Sequence, residues 1–259
     1  MSSQAVDLYY REFGDPKAPP MLLLHGLFGS SANWVGIAHR LESDYHIIIP
    51  DLRNHGRSPH AESMSYELMV LDLLRLMRRL ELPQVHVIGH SMGGKAAMWL
   101  ALNHPEYIEK LVVADIAPVN YGHRFEAIFS GLQGVALTQL SGREDADRQL
   151  SQWVGSLGVR QYLLQNLVKH SAGWSWRFNL AVLCKAMDTL AAFPKGITRS
   201  FPGDVLFLYG GNSDYVEADS QPEIRACFPY ARLRMLAGSG HWVYAEQPEA
   251  FVQAVKAFL

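Results

Sequence analysis

Short apolar runs alternate with longer amphipathic segments over the first part of the chain. Apolar runs at 21–24, 45–49, 85–88 and 111–114 are bounded by Gly, Pro or Asp, which is typical of buried strands. Residues 65–80 instead have helical spacing. The predicted apolar face of that helix carries Leu68, Leu71, Leu74 (or Leu73) and Met77, and the predicted polar face largely carries Asp72, Arg75, Arg78 and Arg79. Strands alternating with helices predict a parallel sheet covered on both faces.

The alternation stops after Pro118. The next eighty or so residues show no convincing strand pattern, but they contain several apolar pieces of helical length. Strand patterns return at 204–210 and 231–237, and a final helix is predicted from about Glu246. We therefore expect one α/β domain in two parts, interrupted by a helical lid that is inserted after the fourth clear strand. The predicted core parts and lid are residues 1–118, 201–259 and 119–200.

Composition favours a small-molecule partner. The chain has 259 residues and a formal net charge of −2, which gives no field to recruit nucleic acid or an anionic membrane. No secretory leader or membrane-spanning run is visible, and Cys184 and Cys227 are too far apart in sequence for a redox motif. None of the eleven histidines has metal-ligand spacing. We expect a cytoplasmic protein without a metal or cofactor.

The segment G-H-S-M-G-G-K-A, residues 89–96, fits two chemistries. It nearly matches a phosphate-binding loop, but Ala96 stands where that loop needs a hydroxyl to hold Mg²⁺. Its first five residues are G-x-S-x-G, between a predicted strand and a predicted helix, which is the setting of a nucleophilic serine. The alternative is a Gly-rich turn with an incidental serine. The context favours Ser91 as a nucleophile.

A nucleophilic serine needs a base and donors for the oxyanion. His241, in G-S-G-H-W after the last predicted strand, stands where the order serine, acid, histidine places the base. The predicted oxyanion donors are the backbone N–H groups of Met92 and of Leu27, which lies in the loop after the strand at 21–24. His25 is expected to brace that loop rather than react.

Two carboxylates compete for the acid of the triad. In the usual pattern after the strand at 204–210, Gly210 and Val216 would serve as anchors, but Ser213 then occupies the acid position and Asp214 falls one residue late. Asp115 ends the neighbouring strand and also keeps the order serine, acid, histidine. The residues alone favour Asp115 and leave Asp214 as the alternative.

Other side chains near these motifs suggest supporting roles. Lys95 carries a cation in the first turn of a predicted helix, where it opposes the helix dipole, so we expect a local ion pair. The loop at 51–58 is expected to be structural, with Arg53 and His55 organising it. Arg124 and Arg177 either pair with lid carboxylates or meet an anionic group of the substrate. The predicted substrate-binding residues are Phe28, Arg124, Phe129, Arg177 and Trp242.

Several motifs together resemble the YbfF-type esterases of the α/β-hydrolase superfamily. They are HGLFGS, DLRNHGRS, GHSMGGKA, DIAPV, WRFN, GGNS and GHW, and they span nearly the whole chain. The resemblance implies an α/β-hydrolase fold, a mostly parallel sheet flanked by helices, and esterase activity without a cofactor. It also implies an acid on the earlier strand, which is Asp115 here, and acyl-CoA thioesterase activity as a second expectation.

Two other functions remain open at this point. The first keeps the triad but changes the reaction to that of a cofactor-free C–C hydrolase, lyase or perhydrolase. The second is a non-catalytic ligand-binding scaffold, which an incomplete triad would favour. The substrate in every case is expected to be a small molecule.

Overall fold

Seven strands form one sheet in a computed structural model that describes residues 5–122, 124–171, 173–194 and 199–259. Along the sheet the strand order is β1-β3-β2-β4-β5-β8-β9; β1 is antiparallel to β3, and every other pair is parallel. The strands of this sheet are β1 (Tyr10–Phe13), β2 (Pro20–Leu24), β3 (His46–Pro50), β4 (Val85–His90), β5 (Ile108–Ala114), β8 (Val205–Gly210) and β9 (Arg232–Leu236). The α/β prediction is confirmed.

Helices cover both faces of the sheet because its central strands are apolar on both sides. Every residue of β3 and β4 is buried, as expected for strands that are covered on both faces. No helix of the described residues is both long and apolar enough to cross a bilayer. The helices are α1 (Val35–Leu41), α2 (Tyr66–Arg79), α3 (Met92–Asn103), α4 (Glu126–Gly134), α5 (Arg143–Leu150), α6 (Leu157–Leu164), α7 (Leu180–Lys185), α8 (Met187–Ala191), α9 (Gln221–Cys227), α10 (Val243–Glu246) and α11 (Pro248–Phe258).

The chain between β5 and β8 is called here the inserted segment, and its described residues form α4 to α8 and one hairpin. The hairpin pairs β6 (Leu167–His170) with β7 (Gly173–Trp176) in antiparallel register. The prediction of a segment without strands is therefore wrong at this point. Each strand has only four residues, and a run that short carries too little period-two pattern to be distinguished from a helix or a loop.

The predicted faces of helix α2 are confirmed at Leu74 and Met77, which are buried, but they are wrong at Leu71 and Asp72. Leu71 is 43% exposed, whereas Asp72 is fully buried and accepts two hydrogen bonds from Arg53, at 2.6 and 2.7 Å. The backbone N–H of Val6 donates to the same carboxylate at 2.7 Å. Burying a charge is tolerated only when it is paired and hydrogen-bonded. Arg53 thus organises the loop at 51–58 as expected, but through a carboxylate that the sequence pattern assigned to solvent.

Candidate active site

Ser91 lies on the sharp turn between β4 and α3. Its backbone has φ 52° and ψ −119°, a conformation that costs a residue with a Cβ about 1–3 kcal/mol. The turn is possible because its neighbours are glycines: a Cβ at Gly89 would collide with the carbonyl of Gly93, and one at Gly93 would collide with that of Leu24. The Ser91 N–H donates to the carbonyl of Ala114 at 3.1 Å, which ties the turn to β5.

Asp115 directly follows β5, at the same edge of the sheet as Ser91. Its φ is 49°, so the chain turns sharply as the strand ends. His241 Nδ1 lies 2.7 Å from Asp115 Oδ2. The fully buried carboxylate also accepts hydrogen bonds from the Gly210 N–H, at 2.9 Å to Oδ1, and from the Ser213 hydroxyl. Donors of this kind stabilise the charged form of a buried carboxylate.

Asp214 lies elsewhere, on the surface. Its Oδ1 accepts a hydrogen bond from Arg124 Nη1 at 2.7 Å, and this guanidinium holds the pKa of the carboxyl below its ordinary value. No hydrogen bond joins Asp214 to His241 among the described residues. Ser213, in the position that aligns with the usual acid, supports Asp115 instead. In the sequence, the one indication of this contact is that Ser213 occupies the usual acid position of the G-G-N-S-D-Y-V stretch.

Two neighbours hold His241, one at its ring and one at its backbone, and sequence reasoning found neither. The Tyr215 ring stacks on it with a centroid distance of 3.9 Å and an interplanar angle of 19°. His90 Nε2 lies 2.9 Å from the backbone carbonyl of His241, as a donor to it. The imidazole is thus held by a carboxylate at its edge and an aromatic ring on its face. Only the fold brings these residues together, since nothing in the G-x-S-x-G or G-G-N-S-D-Y-V stretches that contain His90 and Tyr215 indicates a contact with His241.

The two predicted oxyanion donors are distinguished by the lack of a hydrogen-bond acceptor in the described part of the chain. Among the described residues, neither the Leu27 N–H nor the Met92 N–H donates a hydrogen bond to a protein acceptor. His25 braces the Leu27 loop, as expected: its Nε2 accepts from the Leu52 N–H at 2.9 Å, and its Nδ1 donates to the Gly26 carbonyl at 2.8 Å. Both ring nitrogens of His25 are therefore occupied by backbone groups, and neither is left to take a proton from a substrate.

A cavity of about 210 Å³ lies over Ser91 and His241. Phe28 and Trp242 line it, as predicted, whereas Phe129 stands behind Phe28 with a ring distance of 5.2 Å. Arg124 lies outside this lining, and Arg177 is exposed. The lining is largely apolar, and consists of Gly26, Leu27, Phe28, His90, Ser91, Phe125, Ile128, Val159, Tyr162, Leu163, Tyr215, His241 and Trp242.

Lys95 makes no ion pair with any described residue, so that expectation is wrong. Its buried Nζ donates to three backbone carbonyls, at 2.9 Å to Val119, 2.7 Å to Ala191 and 2.9 Å to Ala192. It also lies 4.7 Å from the centre of the Tyr121 ring. Burial lowers the pKa of Lys95 to about 7. The lysine therefore ties both ends of the inserted segment to the helix that follows Ser91.

His55 makes the stability of the fold sensitive to acid. It is fully buried, its Nε2 accepts from the Phe28 N–H at 3.1 Å, and burial lowers its pKa from 6.5 to about 3. The unfolded chain takes up this proton near pH 6.5 and the folded chain only near pH 3, so the free energy of unfolding falls as pH drops through that window.

We expect His55→Gln to reduce this fall by up to about 1.4 kcal/mol per pH unit, because its side-chain oxygen accepts without titrating. Urea unfolding at about pH 7 and about pH 5 measures the change. His170→Gln, at an exposed histidine that is not among the groups that shift the pKa of His55, is the control and should keep the wild-type dependence. An unaltered dependence in His55→Gln would contradict the assignment.

Known proteins resemble the chain over most of its length. A family described as alpha/beta hydrolase fold matches residues 19–248. The sn-1-specific diacylglycerol lipase ABHD11 of Mus musculus is 41% identical over 254 residues, which cover 95% of this chain and 82% of that protein. Esterase YbfF of Escherichia coli is 39% identical over 93% of this chain and 92% of its own length. A solved marine microorganism esterase superposes with a TM-score of 0.95 at 36% identity, covering 98% and 100% of the two chains.

Proposed function

Because the chain belongs to the α/β-hydrolase family, we propose that it cleaves carboxylic esters by two-step acyl transfer through Ser91. Ester hydrolysis is the activity named for its relatives, and this chain is an ester hydrolase. The observation that carries the proposed roles is the 2.7 Å contact between His241 and Asp115, with Ser91 and His241 lining one cavity.

The first step forms an acyl-enzyme. The Ser91 oxygen attacks the ester carbonyl carbon while its proton moves to His241 Nε2, and Asp115 keeps the imidazole oriented and stabilises its charged form. The carbonyl oxygen becomes an oxyanion that accepts hydrogen bonds from the N–H groups of Leu27 and Met92. His241 then gives the proton to the departing alcohol oxygen as the carbon–oxygen bond breaks.

The second step returns the free enzyme. A water molecule loses a proton to His241 and attacks the acyl carbon, and the resulting oxyanion occupies the same two N–H groups. The proton then passes from His241 to the Ser91 oxygen as the carboxylic acid leaves. Acyl thioesters undergo the same steps with a thiol as the leaving group, so we propose them as a second substrate class.

The cavity favours a short to medium acyl group. Its volume of about 210 Å³ is below the roughly 300–1,000 Å³ of pockets that hold drug-sized ligands. The inserted segment supplies Phe125, Ile128, Val159, Tyr162 and Leu163 to its lining, which supports a role for residues 119–200 as a lid. Among the described residues, no Asp, Glu, Lys or Arg lines the cavity, so we propose a neutral, apolar acyl chain as its occupant.

The test compares one acyl series on two leaving groups. We expect p-nitrophenyl butyrate to be hydrolysed faster than the palmitate ester, with butyryl-CoA and palmitoyl-CoA reporting on the thioester class. A fluorophosphonate probe should label one residue, Ser91, and labelling should abolish turnover. Labelling at Ser91 without hydrolysis of any ester or thioester would instead favour the C–C hydrolase, lyase or perhydrolase alternative. Failure of both would favour the binding scaffold.

Ile128 is expected to limit acyl length. Ile128→Ala removes apolar volume from the cavity lining, and Ile128→Phe adds it. We expect the ratio of kcat/KM for octanoate over butyrate to rise about tenfold in the first variant and fall about tenfold in the second, since each methylene in an apolar pocket is worth about 1–3 kcal/mol. Leu157→Ala, at a residue 55% exposed on the same segment, should leave the ratio unchanged. If both Ile128 variants kept the wild-type ratio of kcat/KM for octanoate over butyrate, the end of the acyl chain would lie elsewhere in the cavity.

A further inference from the structure

The loop that carries the Leu27 N–H is fixed one peptide at a time. The first peptide joins Gly26 to Leu27, and its carbonyl accepts from His25 Nδ1 at 2.8 Å and from the Gly29 N–H at 3.0 Å. In a planar trans peptide the N–H points opposite to the carbonyl. The Leu27 N–H therefore points away from His25, and residues of the core and of the loop itself set the direction of this peptide.

The inserted segment supplies the bonds that fix the next two peptides. The Tyr162 hydroxyl donates to the Leu27 carbonyl at 3.0 Å, while the N–H of the same peptide, at Phe28, donates to His55 Nε2 at 3.1 Å. Asn166 Nδ2 donates to the Phe28 carbonyl at 2.7 Å. Asn166 is 4% exposed, so this bond is made away from competing water.

Side-chain packing also holds the Leu27 loop against the inserted segment. Phe28 has φ 61°, a left-handed conformation that residues with a Cβ rarely adopt. Its ring packs on two rings of the inserted segment, with centroid distances of 5.2 Å to Phe129 and 5.0 Å to Phe178. The unusual backbone at Phe28 is thus held from below by His55 and from above by aromatic side chains.

We propose that Tyr162 and Asn166 are positioning residues for the oxyanion donor at Leu27. The inserted segment then does more than enclose the acyl group, because its hydrogen bonds hold the two peptides that follow the Leu27 N–H and so keep the loop in the conformation that presents this N–H to the oxyanion. This inference rests on the proposed function, since it needs an oxyanion to form at Ser91. It predicts a loss in turnover rather than in substrate binding.

Tyr162→Phe removes one hydroxyl and keeps the ring that lines the cavity. We expect kcat on p-nitrophenyl butyrate to fall about tenfold with KM changed less than about twofold. The reason is that a less firmly held Leu27 N–H stabilises the oxyanion of the transition state less, while substrate binding is unaffected. Affinity for butylboronic acid, which forms a tetrahedral adduct with a nucleophilic serine, should fall by a similar factor. A group that only held the segment in place would not move this affinity.

Tyr66→Phe is a matched control. The Tyr66 hydroxyl donates to the Leu190 carbonyl at 2.7 Å, which is also a buried bond between the core and the inserted segment, so its hydrogen bond goes to that carbonyl and not to a carbonyl of the Leu27 loop. We expect this variant to lose stability to a similar extent as Tyr162→Phe while keeping wild-type kcat and boronate affinity. Asn166→Asp, which replaces the donor by an oxygen of the same shape, should reproduce the effect of Tyr162→Phe.

The outcomes separate this inference from the function on which it rests. If Ser91→Ala retains hydrolysis, the proposed function fails whatever Tyr162 does. If Ser91→Ala is inactive, and both Tyr162→Phe and Asn166→Asp fold with wild-type kcat and boronate affinity, the positioning role is overturned and the contacts only hold the segment. Thermal unfolding of each variant shows that a kinetic loss comes from a folded enzyme.

Discussion

Ser91→Ala is expected to lower kcat on p-nitrophenyl butyrate by about 10⁵-fold or more, because no other atom of the site is proposed to form the acyl-enzyme. The methyl group keeps the packing of a side chain that is only 7% exposed, so the melting temperature should stay close to that of the wild type. Steady-state hydrolysis and thermal unfolding of the same preparation measure the two effects.

The control for this change is Ser151→Ala, at an exposed serine of the inserted segment. It should retain wild-type turnover and wild-type labelling by a fluorophosphonate. Residual activity within about a hundredfold of the wild type in Ser91→Ala would mean that water is activated without a serine adduct. The two-step mechanism would then have to be abandoned, even though the cavity and its histidine would remain.

Asp115→Asn is expected to lower kcat/KM by about 10⁴-fold. The amide can present N–H₂ to His241 Nδ1, and the imidazole would then carry its proton on the nitrogen that must receive the Ser91 proton. The change also removes a buried charge that accepts from the Gly210 N–H and the Ser213 hydroxyl. A melting curve is therefore needed beside the kinetics.

Asp214→Asn provides the discriminating comparison. It breaks an exposed pair with Arg124, whose removal should cost stability no more than about 1 kcal/mol and should leave kcat/KM within about threefold of the wild type. If Asp214→Asn proves inactive while Asp115→Asn retains turnover, the roles of the two carboxylates are reversed. Equal, small effects in both would mean that His241 works without a carboxylate partner.

The sequence predicts the parts of the site that have local signals. Ser91 lies in a five-residue pattern between a strand and a helix, and the glycines of that pattern are the ones that its backbone requires. His241 follows the last strand of the sheet. For the carboxylate, the sequence offered two positions one strand apart, and only the geometry shows which of them contacts the histidine.

Contacts made across the fold have no such signal. Tyr215 and Tyr162 resemble any other aromatic residues in the sequence, yet one stacks on His241 and the other bonds the Leu27 loop. Charged groups are misplaced for a related reason. Helical periodicity assigns Asp72 to solvent because it carries no information about an ion-pair partner elsewhere in the chain, whereas the fold buries Asp72 against Arg53. The same limit explains Lys95, whose partners are backbone carbonyls that no side-chain pattern records.

The position of Lys95 has a practical meaning for engineering. Grafting the inserted segment of one relative onto the core of another is an obvious route to new acyl selectivity. The ammonium of Lys95 binds carbonyls on both sides of such a graft, at Val119 and at Ala191 and Ala192, from the helix that Ser91 precedes. A transplanted segment therefore has to be joined so that both junctions still reach one buried lysine. A junction that misses it would leave a charge without acceptors within one helical turn of the nucleophile.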